Sequence, residues 1–155
     1  MSRVITIRRP ATILLLLLVT LGIILATIWT SGKSYTKVDP NPFDELQMLA
    51  RRLAERPIST HLLAIIVIPI VGNILLFVPW GFLMFIALYS IERPTVQTYV
   101  LTILLGLSFT LAIEAWQYFL PSRVADANDV VMNVLGTLLG ALLGHLRLRV
   151  RVEFE

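Results

Sequence analysis

The sequence predicts an all-α integral membrane protein: a four-helix bundle with a kinked second span and an interfacial amphipathic helix in its first loop. Three observations predict it. Hydrophobic residues make up 57% of the 155-residue chain and charged residues only 15%, against about 25% charged in an average soluble domain. The apolar residues gather into long runs, and crossing a hydrocarbon core takes about 20 of them. The basic residues cluster beside those runs. The expected organisation is one membrane domain over residues 1–155, with spans at about 11–29, 73–91, 97–119 and 128–146 and a loop helix at about 42–56.

A formal net charge of +3 is too small for a nucleic-acid footprint. Basic residues flanking apolar runs suit anionic headgroups and the setting of topology, so membrane lipids are the expected partners and nucleic acid is not. The chain has no cysteine, which excludes disulfides, a thiolate metal site and a thiol nucleophile. No cofactor or metal is expected.

Arg3, Arg8 and Arg9 precede a charge-free run at 11–29. The run exceeds the roughly 7–15 apolar residues of a signal peptide, and no small-residue cleavage site follows, so it reads as a retained first helix. Trp29 stands where an interfacial aromatic belongs. In the following loop, Asn41 can cap a helix with Pro42 in its first position and Asp44 and Glu45 at the positive end of its dipole. Phe43, Leu46, Leu49, Ala50 and Leu53 share one side at helical spacing, and Pro57 ends the pattern. That apolar side suits either the membrane interface or the protein's own surface.

Residues 62–90 carry no charge. As one continuous helix they would extend roughly 43 Å, past a hydrocarbon core of about 30 Å. Pro69, Gly72, Asn73, Pro79 and Gly81 interrupt the run, and an internal proline kinks or breaks a helix. The expectation is a shallow or re-entrant section at 62–71, then a span at 73–91. Irregular backbone at membrane depth survives where protein covers it, so Asn73 and residues 77–81 should face inward. Trp80 alone is expected on the lipid or interfacial side. Asn73 suits either an interhelical hydrogen bond or a site role, and Pro79 and Gly81 read as a packing kink.

In the third span Gly106, Thr110, Glu114 and Gln117 fall on one face. A carboxylate inside a membrane needs a partner or water; Glu114 could lock two helices through Arg123 or belong to a site, with Gln117 orienting it or bonding to a neighbouring helix. Asp126 can cap the fourth span, and Asp129 three residues on suggests an acidic capping box. With Asp126 at 0°, the 100° helical step sets Asp129, Asn133, Gly136, Gly140 and Gly144 within about 80° of it. The glycines then permit close backbone approach to a neighbour, and Asp129 and Asn133 point into the bundle. With both termini cytoplasmic, seven of the 13 Lys and Arg residues lie inside against six outside. The cluster of Asn73, Glu114, Gln117, Arg123, Asp126, Asp129 and Asn133 would then face the outer surface.

These residues resemble the VanZ-like family of bacterial membrane proteins, named for a teicoplanin-resistance protein. The likeness runs through Asn73, Phe77, Pro79 and Gly81, then Glu114 and Gln117, then Arg123, Asp126, Asp129, Asn133 and Gly136. It covers about half the chain, from second span to fourth, and leaves the first loop unmatched. Trp80 departs from it, standing where an aliphatic residue is expected. The resemblance implies a four-helix protein of the bacterial cell membrane and, in the founding member, lowered teicoplanin sensitivity.

Three function classes follow. The first is a non-enzymatic envelope protein that binds a lipid headgroup, lipoglycopeptide or cell-wall precursor at an outward-facing polar pocket, with Arg123 contacting an anion. The second is an intramembrane enzyme using Glu114, Asp126 and Asp129 as acid, base or metal ligands. Against it, no histidine lies near the cluster, since His61 and His145 are at other segment ends, and there is no activated Ser-His pair. The third is a small channel or transporter, although four helices are few for an alternating-access machine. Binding ranks first.

Overall fold

The computed structural model describes residues 9–29, 38–39, 41, 43–54, 60–89, 93–119 and 125–152. They form α1 (Arg9–Trp29), β1 (Val38–Asp39), α2 (Asp44–Ala54), α3 (Thr60–Leu88), α4 (Thr95–Tyr118), β2 (Ala125–Asp126) and α5 (Ala127–Val152). Among the described residues, four helices are long and apolar enough to cross a membrane, over Pro10–Thr27, Ile66–Leu88, Thr95–Tyr118 and Ala127–Arg147. The all-helical, multi-pass architecture matches the sequence expectation.

The second span differs from that expectation. Pro69 and Pro79 both lie inside a single helix of 29 residues, so residues 62–71 are its opening turns and not a separate re-entrant section. Each proline removes one backbone donor, and a helix covered by neighbours tolerates that loss. Beyond the helix, the Arg93 guanidinium donates to Leu88 O at 2.6 Å, serving an end carbonyl that has no acceptor duty within the helix.

At the seam between α3 and α5 the two backbones approach closely. A Cβ on Gly136 would collide with the Ile74 carbonyl, and one on Gly140 would lie 2.6 Å from the Phe82 backbone nitrogen. Across the seam, a Cβ on Gly81 would lie 2.7 Å from Thr137 Cα. At Gly144 the fit relaxes, with Phe85 Cδ1 at 3.2 Å. Gly81, Gly136 and Gly140 therefore fix how near the two backbones come; the sequence suggests this close approach for Gly136 and Gly140, whereas it reads Gly81 as part of a kink. Pro79 is exposed on the opposite side of α3.

Two apolar clusters flank this seam. Ile23, Phe77, Trp80 and Ile113 join α1, α3 and α4, while Ile66, Ile70 and Met132 join α3 and α5. Trp80 is 4% exposed, contrary to the lipid-facing placement expected for it. Its indole N–H donates to Thr20 Oγ1 at 3.1 Å, and its ring stacks on Phe109 at 5.5 Å. A partner for the N–H inside the bundle removes the usual reason for an indole to stay at the interface.

The loop helix α2 is described over Asp44–Ala54, and residues 42, 55 and 56 of the expected 42–56 lie outside the described residues. Asn41 Oδ1 accepts the Phe43 N–H at 3.2 Å, as a residue before a helix should. Leu49 packs on the Ile66, Ile70 and Met132 cluster, whereas Phe43, Leu46 and Leu53 remain exposed. Part of the apolar side thus covers the protein and part is left outward. A parallel pairing, Val38 with Ala125 and Asp39 with Asp126, ties this first loop to the entry of α5.

Candidate functional site

At the end of the bundle where α1 and α4 finish and α3 and α5 begin, a cavity of about 360 Å³ opens between the four spans. Asn73, Glu114, Gln117, Asp129 and Asn133 all line it. They arrive on three helices because each sits on the inward face of its own: Asn73 on α3, Glu114 and Gln117 one turn apart on α4, Asp129 and Asn133 one turn apart on α5. The rest of the wall is small or apolar and includes Ile68, Leu76, Phe77 and Ile113.

The polar groups bond to one another across helices. The Asn73 amide nitrogen donates to Asp129 Oδ1, joining α3 to α5. Glu114 Oε2 accepts the backbone N–H of Asp126 at 2.8 Å. With its amide nitrogen turned toward the carboxylate, Gln117 donates to both Glu114 oxygens at 3.2 Å, the orienting role the sequence suggests for it. Asn133 donates to Thr110 Oγ1 at 2.9 Å, tying α5 to α4. Glu114, Gln117 and Asn133 are 7%, 4% and 4% exposed, depths at which polar groups require partners.

Asp126 takes the capping role expected of it: Oδ1 accepts the Asn128 N–H at 2.8 Å. The expected reciprocal half of a capping box is replaced. Glu114, from another helix, receives the Asp126 N–H, and Asp129 receives the Asn73 amide. Thus Asp126 supports the site from its edge by positioning Glu114, and it is not among the cavity residues. Arg123, the cation expected here, lies outside the described residues.

Among the described residues Asn133 Oδ1 is a buried acceptor with no hydrogen-bond partner, and Asn133 lines the cavity. The wall also includes Ala26 and Thr27 of α1, which sequence reasoning did not associate with the site. Thr27 spends its hydroxyl on Ile24 O at 2.8 Å, and nothing in its sequence surroundings marks it. Thr110 was visible as part of the α4 polar stripe, and its bond to Asn133 gives that stripe its purpose.

The geometry offers a part-enclosed space with an apolar wall and a polar lining rich in oxygen acceptors. Among the described residues, no three His, Asp or Glu side chains gather in a way that could hold a metal ion.

A family model described as VanZ/LLP1 matches residues 11–148. The match takes in the first span and loop as well as the spans on which the resemblance rested. No curated protein and no solved structure is matched.

Proposed function

The chain belongs to the VanZ/LLP1 family, and from that premise we propose that it is a non-enzymatic envelope protein that receives the polar headgroup of a membrane amphiphile in the cavity between its four spans. Lipid headgroups, lipoglycopeptides and lipid-linked cell-wall intermediates are the compounds in view. Lowered sensitivity to a teicoplanin-type antibiotic is one way such binding would register in a cell. The setting is the bacterial plasma membrane with both termini cytoplasmic, which turns the cavity toward the outer surface.

The observation that carries this reading is Asn133 Oδ1, a buried acceptor with no donor on the wall of the cavity. Leaving such a group unsatisfied costs about 1–3 kcal/mol, and a ligand donor would recover it. The surrounding wall supports an amphiphile in particular: Ile68, Leu76 and Ile113 offer apolar surface beside the carboxylates of Glu114 and Asp129. The enzyme reading is weaker because Glu114 is held by Asp126 and Gln117, bonds that fix a carboxylate in place.

The test is lipid retention. Gly72 lines the cavity, and a Cβ there would meet nothing within 4 Å, so Gly72→Leu directs added side-chain volume into open space. Stripped protein re-exposed to a membrane-lipid extract and examined by native mass spectrometry should retain lipid that Gly72→Leu does not. Equal retention by both, at unchanged melting temperature, would overturn the proposal.

A further inference from the structure

Resting on that reading, we infer that the cavity takes the hydroxyls of a neutral sugar headgroup, the head of a glycolipid. The inference starts from two side-chain amides, Asn73 on α3 and Asn133 on α5, which both line the cavity. An amide can donate twice through nitrogen and accept twice through oxygen. Among the described residues each side chain makes one hydrogen bond, from its nitrogen: Asn73 to Asp129 and Asn133 to Thr110. Asn133 is 4% exposed, and its buried oxygen has no donor. The two amides therefore keep both donor and acceptor capacity unused. The carboxylates of Glu114 and Asp129 are already engaged by groups of the protein, and the inference asks nothing of them.

A hydroxyl matches that unused capacity because it donates and accepts at one atom. The alternatives serve one half only. An ammonium donates and does not accept, and a neutral amide gives its charge no counter-charge. A phosphocholine head accepts through its phosphate and donates nothing. The cavity volume extends the match from one hydroxyl to a sugar: about 360 Å³ stands at the lower end of the roughly 300–1,000 Å³ of small-molecule sites, space for a compact head. The lipid origin follows from the rim. Ile68 and Leu76 line the cavity, yet they are 68% and 36% exposed and belong to the apolar span Ile66–Leu88. The cavity wall thus runs on into the outer face of α3, where acyl chains stay in the bilayer while the head sits among the amides.

The experiment compares four short-chain lipids on detergent-solubilised, lipid-free protein by native mass spectrometry. They are a monoglucosyl diacylglycerol, the same lipid with its sugar hydroxyls methylated, phosphatidylethanolamine and phosphatidylcholine. The glucosyl lipid should be retained about tenfold more than each of the others, the effect of giving one buried acceptor its donor. Asn133→Leu should bring its retention down to that of the methyl ether, and Gly72→Leu should lose it. The glucosyl lipid and its methyl ether are compared on the unaltered protein, which keeps the test decisive if Asn133→Leu fails to fold. Equal retention of those two, stronger retention of phosphatidylethanolamine, or a preference that folded Asn133→Leu keeps would overturn the sugar and leave the headgroup reading standing. Retention that Gly72→Leu does not change would overturn both. Methyl glucoside competing as well as the lipid would overturn the lipid origin.

Discussion

Glu114 and Trp80 show how differently single residues declare themselves. A carboxylate or amide in an apolar run is conspicuous, and the demand that it find a partner gives its direction: Asn73, Glu114, Gln117, Asp129 and Asn133 all turn inward to one cavity. Trp80 carries no such demand, and α3 is apolar all round, so periodicity gives no buried side. Its inward position depends on Thr20 Oγ1 and on the Phe109 ring, contacts between distant parts of the chain. The pairing of Glu114 with the Asp126 N–H was equally illegible, because backbone groups leave no trace in a sequence. Two predictions belong to this scale. A double-mutant cycle on Asn73→Ala and Asp129→Ala, read from denaturant unfolding in detergent, should give a coupling of about 1 kcal/mol. Trp80→Phe should lower stability by a similar amount, about 1 kcal/mol, through the lost indole bond; an unchanged unfolding midpoint would contradict the buried contact.

At the scale of elements, the glycine face of α5 was readable because three small residues at a spacing of four have one evident use in a membrane helix. The partner was not readable: Gly81 and the Ile74, Val78 and Phe82 backbone of α3 complete the seam. The continuity of α3 was misjudged because prolines break helices in water, whereas packing against neighbours holds this one together. The seam separates two kinds of glycine. Gly140→Ala forces a Cβ against backbone atoms and should cost about 1–3 kcal/mol, the range for overpacking. Gly72→Ala enters open space in the same helix family and should stabilise by about 0.5–1 kcal/mol. Thermal unfolding of the two variants side by side reads the difference, and equal melting points would contradict the seam.

For the whole molecule, the cavity position follows from topology. Alternating spans bring the ends of α1 and α4 together with the starts of α3 and α5, and the pairing of β1 with β2 draws the first loop to the same end. The face of α2 left exposed through Phe43, Leu46 and Leu53 lies in that loop, suited to resting on the lipid interface beside the cavity. Composition and span lengths made the fold class legible; the four-way convergence was not, since no sequence pattern records which helices become neighbours.

The absence of cysteine makes the central claim directly measurable. In a Gly72→Cys variant the only thiol stands on the cavity wall. The rate at which a small water-soluble thiol reagent modifies it should fall about tenfold when membrane lipid is added at about ten times its dissociation constant, where roughly nine sites in ten are occupied. Modification at the same rate with and without lipid, at concentrations where lipid is bound, would contradict the claim that the headgroup enters this cavity.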